Sequence, residues 1–276
     1  MAQPQRKIRP VGRWLSRRAE AGFGQLSLAG DTVEKFLRYF KDADSFNDAA
    51  AREIASLIVE AVEARGRATL ALAGGNTPKP VYERLAALPG LPWEQVDVFL
   101  GDERMVPPDS GDSNLHMAQE HLLGALDHAR PRVHPIETVG KSTAEAATAY
   151  DAELSRILDG DGCAEGPGRL DLVLLGMGGD GHTASLFPKA AARQENTARV
   201  AAVSAAEMSE GMAPRVDRVT LTPRSLNESR CVLFMLTGSS KLQLFEAMES
   251  GDPQAAMLPA AEVRPQDCLI WYLLKP

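Results

Sequence analysis

Two periods of hydrophobic positions run through this chain. Over residues 45–66, Ala50, Ile54, Leu57, Ile58, Ala61 and Val62 recur at helical spacing, and Gly66 follows as a stop. Elsewhere short blocks are apolar almost throughout, at residues 68–73, 96–100, 170–175, 199–203, 230–236 and 269–274, and one block alternates, at 218–222. Continuous apolar blocks of this length suit strands buried on both faces. Further helices are expected from Pro78, carrying Val81, Leu85 and Leu88, and from Ser113 or Asn114 to about residue 123. Another covers residues 142–158 and opens on a capping box of Ser142 with Glu145. Thr222 and Pro223 pair a cap with a first-turn proline, and a last helix runs to about Met248. Strands and helices alternate, which predicts an α/β fold, a mostly parallel sheet with helices on both faces, in a single domain over residues 26–276.

Composition narrows the classes of partner. The chain has 276 residues, 44% hydrophobic and 24% charged, ordinary for a globular protein. A net charge of −7 argues against nucleic acid or an anionic membrane as partner. No apolar run approaches the ~18–20 residues of a membrane span. Residues 1–25 read as a basic N-terminal extension, with Arg6, Lys7, Arg9, Arg13, Arg17 and Arg18 against Glu20. The extension lacks the apolar stretch of a secretory signal and reads as a tail, an organelle transit peptide being the alternative. Cys163, Cys231 and Cys268 are far apart, odd in number and free of any C-x-x-C. That argues against a disulfide framework or a thiolate metal site, and it fits buried thiols in a reducing, cytoplasmic compartment.

Chemistry concentrates where predicted strands end. Residues 74–77, Gly74, Gly75, Asn76 and Thr77, form a turn in which Thr77 is expected to cap the helix from Pro78, a geometry suited to phosphate. The strand at 96–100 runs into Asp102, Glu103 and Arg104, read as a charged loop. The strand at 170–175 runs into Gly176, Gly178, Gly179 and Gly181, with Asp180 and His182 placed where a helix is expected to begin. Residues 237–241 repeat the theme and end on Lys241. In an open α/β sheet, ligands sit outside the carboxyl ends of the strands. Gly176, Gly178 and Gly181 formally match the dinucleotide fingerprint, but the match is weak alone, and the segment at 199–203 carries no acid at its end. His116 and His121 are five apart, off the spacing of a metal pair, and read as structural. There is no clustered metal-ligand motif and no G-x-S-x-G elbow. The residues point to a pocket for a small phosphorylated molecule, with proton transfer or water activation by His182. Residues 204–212 read as a mobile loop that closes over the substrate.

The segments AGGNTP, GDERMVPPDSGDSN, LLGMGGDGHTASLFP, RVTLT and TGSSK, in that order, resemble the 6-phosphogluconolactonase family, and the likeness covers residues 45–274. The resemblance implies the α/β fold shared with glucosamine-6-phosphate deaminases, ribose-5-phosphate isomerases and CoA transferases. It implies hydrolysis of 6-phospho-D-glucono-1,5-lactone to 6-phospho-D-gluconate, without cofactor or metal. His182 would be the general base, with Asp180 or Asp102 orienting it and Arg104 stabilising the oxyanion. Gly74, Gly75, Asn76 and Thr77 would hold the phosphate, with charge from Arg218 and Lys241. Asn76 stands where serine is common in the family. The deaminases carry a glutamate just before the proline matching Pro188, where this chain has Phe187, a residue that moves no proton. A deaminase or sugar-phosphate isomerase, and a non-catalytic sugar-phosphate sensor, are the alternative readings. The first 44 residues are too short and irregular for the DNA-binding motif that such sensors carry. The partner expected is a small phosphorylated sugar lactone bound by a monomer or small homo-oligomer, with neither nucleic acid nor membrane.

Overall fold

Four apolar blocks become adjacent strands at the centre of the molecule: β3 (Ala68–Leu72), β4 (Val96–Leu100), β7 (Leu172–Leu175) and β10 (Cys231–Thr237). All but the last residue of β10 are buried, as expected of strands covered on both faces. The computed structural model describes residues 24–26, 33–126, 130–160 and 168–275. With β1 (Gly24–Leu26), β2 (Glu34–Phe40), β6 (Arg132–Val133) and β11 (Cys268–Leu274), these strands form one sheet in the order β1-β2-β11-β10-β7-β3-β4-β6. Every neighbouring pair is parallel except β1 with β2. Among the described residues the α-helices are α1 (Ala43–Arg65), α2 (Lys79–Ala86), α3 (Asn114–His121), α4 (Thr143–Asp159), α5 (Pro223–Glu228) and α6 (Ser239–Glu249). The mostly parallel α/β architecture read from the sequence is the one observed. Gly66 ends α1 in the left-handed conformation at φ 74°, and the Ser142–Glu145 capping box opens α4.

Because β10, β7, β3 and β4 are parallel neighbours, the loops that follow them emerge side by side at one edge. Two buried tyrosines finish those strand ends. The Tyr82 hydroxyl donates to the Ala73 carbonyl and accepts from its amide, both at 2.9 Å. Tyr150 does the same for Leu100, at 3.2 and 2.7 Å. Each phenol satisfies backbone groups that have run out of strand partners, which keeps the rim of the sheet rigid.

A second sheet of three antiparallel strands joins this rim: β5 (Asp102–Arg104), β9 (Arg218–Leu221) and β8 (Val200–Val203), in the order β5-β9-β8. Gly101 is the corner between β4 and β5. Its amide donates to Leu72 O at 2.9 Å, its carbonyl accepts from Leu221 N at 2.8 Å, and a Cβ there would lie 3.2 Å from Leu72 O. The charged segment read as a loop is therefore a strand. Its pairing partner begins more than 110 residues later, out of reach of local pattern.

Several expectations are corrected. No helix begins at His182; residues 176–190 form tight turns, with Gly181 at φ 79°, Ala184 at φ 47° and a bridge between Thr183 and Leu186. Positive φ at two nearby positions interrupts helical geometry. Thr77 caps nothing: α2 starts at Lys79 with no side-chain cap. Strand β2 was not anticipated, because Glu34, Lys35 and Arg38 break its apolar run. Cys231 and Cys268 are not free thiols. They face each other across β10 and β11, with Cα atoms 4.7 Å apart, and form a disulfide. Spacing along the chain does not reveal a pair made by parallel strands 37 residues apart. Cys163 and nearly all of the basic extension lie outside the described residues.

Candidate active site

The loop after β7 is built around Gly178. Its amide donates to His182 O at 2.8 Å, and its carbonyl accepts from Gly181 N at 3.1 Å. A Cβ on Gly178 would sit 2.2 Å from His182 Nδ1 and 2.7 Å from Asp180 Oδ1, so only glycine lets the imidazole and carboxylate lie against the backbone. Asp180 Oδ1 is 2.5 Å from His182 Nδ1 and also accepts the His182 amide at 3.2 Å. Asp180 Oδ2 accepts the Ser209 hydroxyl. Burial acts to raise the Asp180 carboxyl, but the hydrogen bonds from His182 and Ser209 outweigh it and hold the group well below the usual carboxylate range. An ionised carboxylate only accepts, so the proton between the two residues belongs to Nδ1. That tautomer leaves a lone pair on Nε2, which has no hydrogen-bond partner among the described residues. The imidazole packs on the buried ring of Phe187, centroids 4.7 Å apart.

The Arg218 guanidinium lies over that same ring, 5.8 Å from its centroid. Arg218 is 5% exposed and is the direct cross-strand partner of Arg104. Burial pulls its guanidinium below its ordinary value; Arg104 acts in the same direction, and Asp102 and Glu103 oppose it. Each arginine keeps a buried Nε–H with no acceptor among the described residues. Arg104 is held by the Asp112 carbonyl at 2.7 Å, and Arg218 by the Pro214 carbonyl at 3.2 Å.

Asp102 does not reach His182 among these contacts. Its Oδ2 accepts Ser185 Oγ at 2.6 Å and stands 3.8 Å from Arg218, and its Oδ1 accepts Asn114 Nδ2 at 3.0 Å. The carboxylate thus fixes the loop that carries His182 through Ser185, and offsets one of the two arginines. Glu103 is spent on structure: it accepts the amides of Asn114 and Leu115 and the Ser113 hydroxyl at the start of α3. Burial raises its carboxyl, and these hydrogen bonds work the other way.

The glycine turn after β3 divides into two roles. A Cβ on Gly74 would strike Asn114 Oδ1 at 2.1 Å, so Gly74 makes room for the amide that grips Asp102. Gly75, at φ 89°, makes the left-handed turn, and Asn76 is exposed. Thr77 Oγ1 meets Thr237 Oγ1 at 3.0 Å, which ties this turn to the one after β10. Lys241 lies there in the first turn of α6, behind Gly238 at φ 97°, and burial lowers its ammonium. Asn114, Ser185 and Ser209 were not singled out from the sequence. The first two lie inside the GDSN and GHTASLFP segments; nothing local marks Ser209.

Among the described residues no group of three or more His, Cys, Asp and Glu could hold a metal ion. A surface depression of about 480 Å³ beside His116 and Asp109 is lined by none of the candidate catalytic or phosphate-binding residues. No helix among the described residues is long and apolar enough to cross a membrane.

The family described as glucosamine-6-phosphate isomerases/6-phosphogluconolactonase matches residues 41–271. A 6-phosphogluconolactonase of Synechocystis is 37% identical over 220 residues, covering 80% of this chain and 87% of the relative. One from Thermotoga maritima is 32% identical over 243 residues, 88% of this chain and all of the relative. The crystal structure of the Thermotoga maritima 6-phosphogluconolactonase superposes with a TM-score of 0.73 at 31% identity, covering 87% of this chain and 100% of that one. The Trypanosoma brucei 6-phosphogluconolactonase structure gives 0.69 at 31% identity, over 86% of this chain and 95% of that one.

Proposed function

This chain belongs to the glucosamine-6-phosphate isomerase/6-phosphogluconolactonase family, and from that premise we propose how its own residues carry the reaction. The reaction is hydrolysis of 6-phospho-D-glucono-1,5-lactone to 6-phospho-D-gluconate, a step of the oxidative pentose phosphate pathway. The observation that carries the mechanism is the His182–Asp180 pair, with Nδ1 bound to the carboxylate at 2.5 Å and Nε2 without a hydrogen-bond partner among the described residues.

His182 Nε2 takes a proton from water as the water oxygen attacks the lactone carbonyl. Asp180 stabilises the imidazolium that forms. The tetrahedral oxyanion is met by the guanidinium pair, Arg104 in the role assigned from the resemblance and Arg218 beside it. As the intermediate collapses, the C–O bond to the ring oxygen breaks and Nε2–H delivers its proton to that oxygen. The acid product loses its own proton to solvent, and His182 returns to its starting state. A positioned base contributes roughly 10²–10⁴-fold, and an oxyanion donor about 10²–10³-fold.

The phosphate is read onto the turn of Gly75, Asn76 and Thr77, with Lys241 across the Thr77–Thr237 contact. Gly74 acts there through Asn114 instead of through the phosphate. Arg218 shifts from the phosphate role read earlier toward the carbonyl, because its neighbours are Arg104, Asp102 and the Phe187 ring. Apart from Asp180, no carboxylate contacts the imidazole among the described residues, so the site has one base for one water. We place the enzyme in the cytoplasm as a monomer or small homo-oligomer.

The test is hydrolysis of freshly generated 6-phosphogluconolactone with the spontaneous rate subtracted, wild type beside His182→Ala. A rate lost in the variant while 6-phosphogluconate still binds supports the base; a rate that survives the substitution removes His182 from its role.

A further inference from the structure

We propose that Ser209 is a positioning residue of this reaction: by donating to the second oxygen of Asp180 it fixes the plane of the carboxylate that aims His182. The inference rests on the reading of His182 as the base.

A carboxylate turns easily about the bond to its Cβ, where the torsion is broad and two-fold. Both donors from His182, the ring Nδ1 and the backbone amide, fall on Oδ1. Neither restrains Oδ2. The Ser209 hydroxyl is the donor found on Oδ2 among the described residues. With one oxygen bound to the imidazole and the other to a hydroxyl, the carboxylate has one plane, and the imidazole it holds has one heading.

The serine comes from a distant strap that is itself anchored. Ser209 is 29 residues from Asp180. Residues 204–217 leave β8 and return to β9, and Asp217 pinches the strap shut: its Oδ1 accepts Ala205 N and its Oδ2 accepts Thr143 Oγ1, both at 2.9 Å. Glu207 ties it to the loop after Pro188 by accepting Ala191 N at 2.8 Å, and Met208, next to the serine, is buried. The Pro214 carbonyl of the same strap accepts from Arg218 at 3.2 Å. One segment thus sets the partner of the base and braces a guanidinium. A segment read from composition as a loose cover is instead fastened beneath the catalytic pair.

The experiment compares Ser209→Ala, Ser209→Thr and Ser209→Cys in the full chain, with His182→Ala alongside. Loss of a hydrogen bond to a charged group predicts a fall in kcat of about tenfold for Ser209→Ala, with KM changed by less than about twofold. Threonine keeps the hydroxyl and recovers most of the rate. Cysteine keeps the size but is a weak donor, and behaves as alanine does. The thermal midpoint and 6-phosphogluconate binding stay at the wild-type values, and the downfield Nδ1 proton resonance of His182 shifts in the alanine variant and returns in the threonine variant. If the alanine variant loses its fold, the cysteine variant carries the same expectation. Wild-type kcat in Ser209→Ala or Ser209→Cys, with activity lost in His182→Ala, overturns the role of the serine and leaves the base standing. Activity that survives His182→Ala removes the base and the relay with it.

Discussion

Among the described residues, His134 and His182 are both held by aspartates, and they differ at the second ring nitrogen. His134 lies 10% side-chain exposed, stacked on Phe99 with centroids 4.6 Å apart. Its Nε2 meets Asp97 at 2.9 Å and its Nδ1 meets Glu153 at 2.8 Å, while Arg132 closes on both Asp97 oxygens. Both nitrogens face carboxylates, an arrangement that favours the protonated ring and clamps β4, the segment after β6, and α4 together. The hydrogen bond to Asp97 raises the His134 imidazole above its ordinary value; burial opposes this, and Glu153 adds to it. His182 has the same kind of aspartate on one nitrogen and, among the described residues, no hydrogen-bond partner on the other. A histidine next to an acid is therefore not a signature of catalysis; the state of the second nitrogen decides.

The largest expected effect breaks the pair at the site. Asp180→Asn replaces an acceptor by a group that can donate to Nδ1 and so stabilise the wrong tautomer. Its kcat should fall by roughly 10²–10⁴-fold in the lactone assay, with a near-normal thermal midpoint. A rate within a few-fold of wild type would remove Asp180 from the mechanism. The converse change is His134→Gln, which discharges the clamp. Denaturant unfolding should show a loss of about 2 kcal/mol, as for a hydrogen bond to charged groups, while kcat of the folded fraction stays the same. Unchanged stability would mean that Arg132 alone satisfies Asp97.

A smaller effect comes from Gly178→Ala, whose new Cβ would need the space 2.2 Å from the imidazole. The loop must give, and kcat should drop by at least about tenfold, as for other misplacements of a reacting group, with the sheet intact by circular dichroism. Smallest is the pH dependence of the clamp. A native imidazole raised above 6.5 stabilises the fold fully below that value, and the contribution disappears as pH climbs through the raised value. The stability difference between wild type and His134→Gln should therefore be widest in mildly acidic solution and shrink as pH rises. A difference that grows with pH would show that His134 is held neutral.

Much of the site could be read from the chain because its chemistry lies in short segments. Asp180 and His182 are two residues apart, and their contact is made across one glycine turn. The apolar blocks that became β3, β4, β7 and β10 also announce themselves, since a strand buried on both faces is apolar almost throughout, Thr69, Asp97 and Thr237 being the exceptions. What stayed hidden was paired at a distance. Arg104 and Arg218 become partners only when β5 lies against β9, and Glu103, read as part of a charged loop, is taken up by the start of α3. His134 drew no notice, because both of its acids come from other elements.

The sequence by itself determined the central buried strands, the helices α1 to α6, the turns that need glycine and the closeness of Asp180 to His182, since each depends on the pattern, backbone freedom or hydrogen bonding of neighbouring residues. Only the tertiary structure decided the rest. It chose Asp180 over Asp102 as the partner of His182, gave Gly74 to Asn114, joined Cys231 to Cys268 and brought Ser209 to Asp180. Those outcomes follow from which distant segments share an edge or a corner once the sheets assemble, and contacts of that kind leave no period or spacing along the chain.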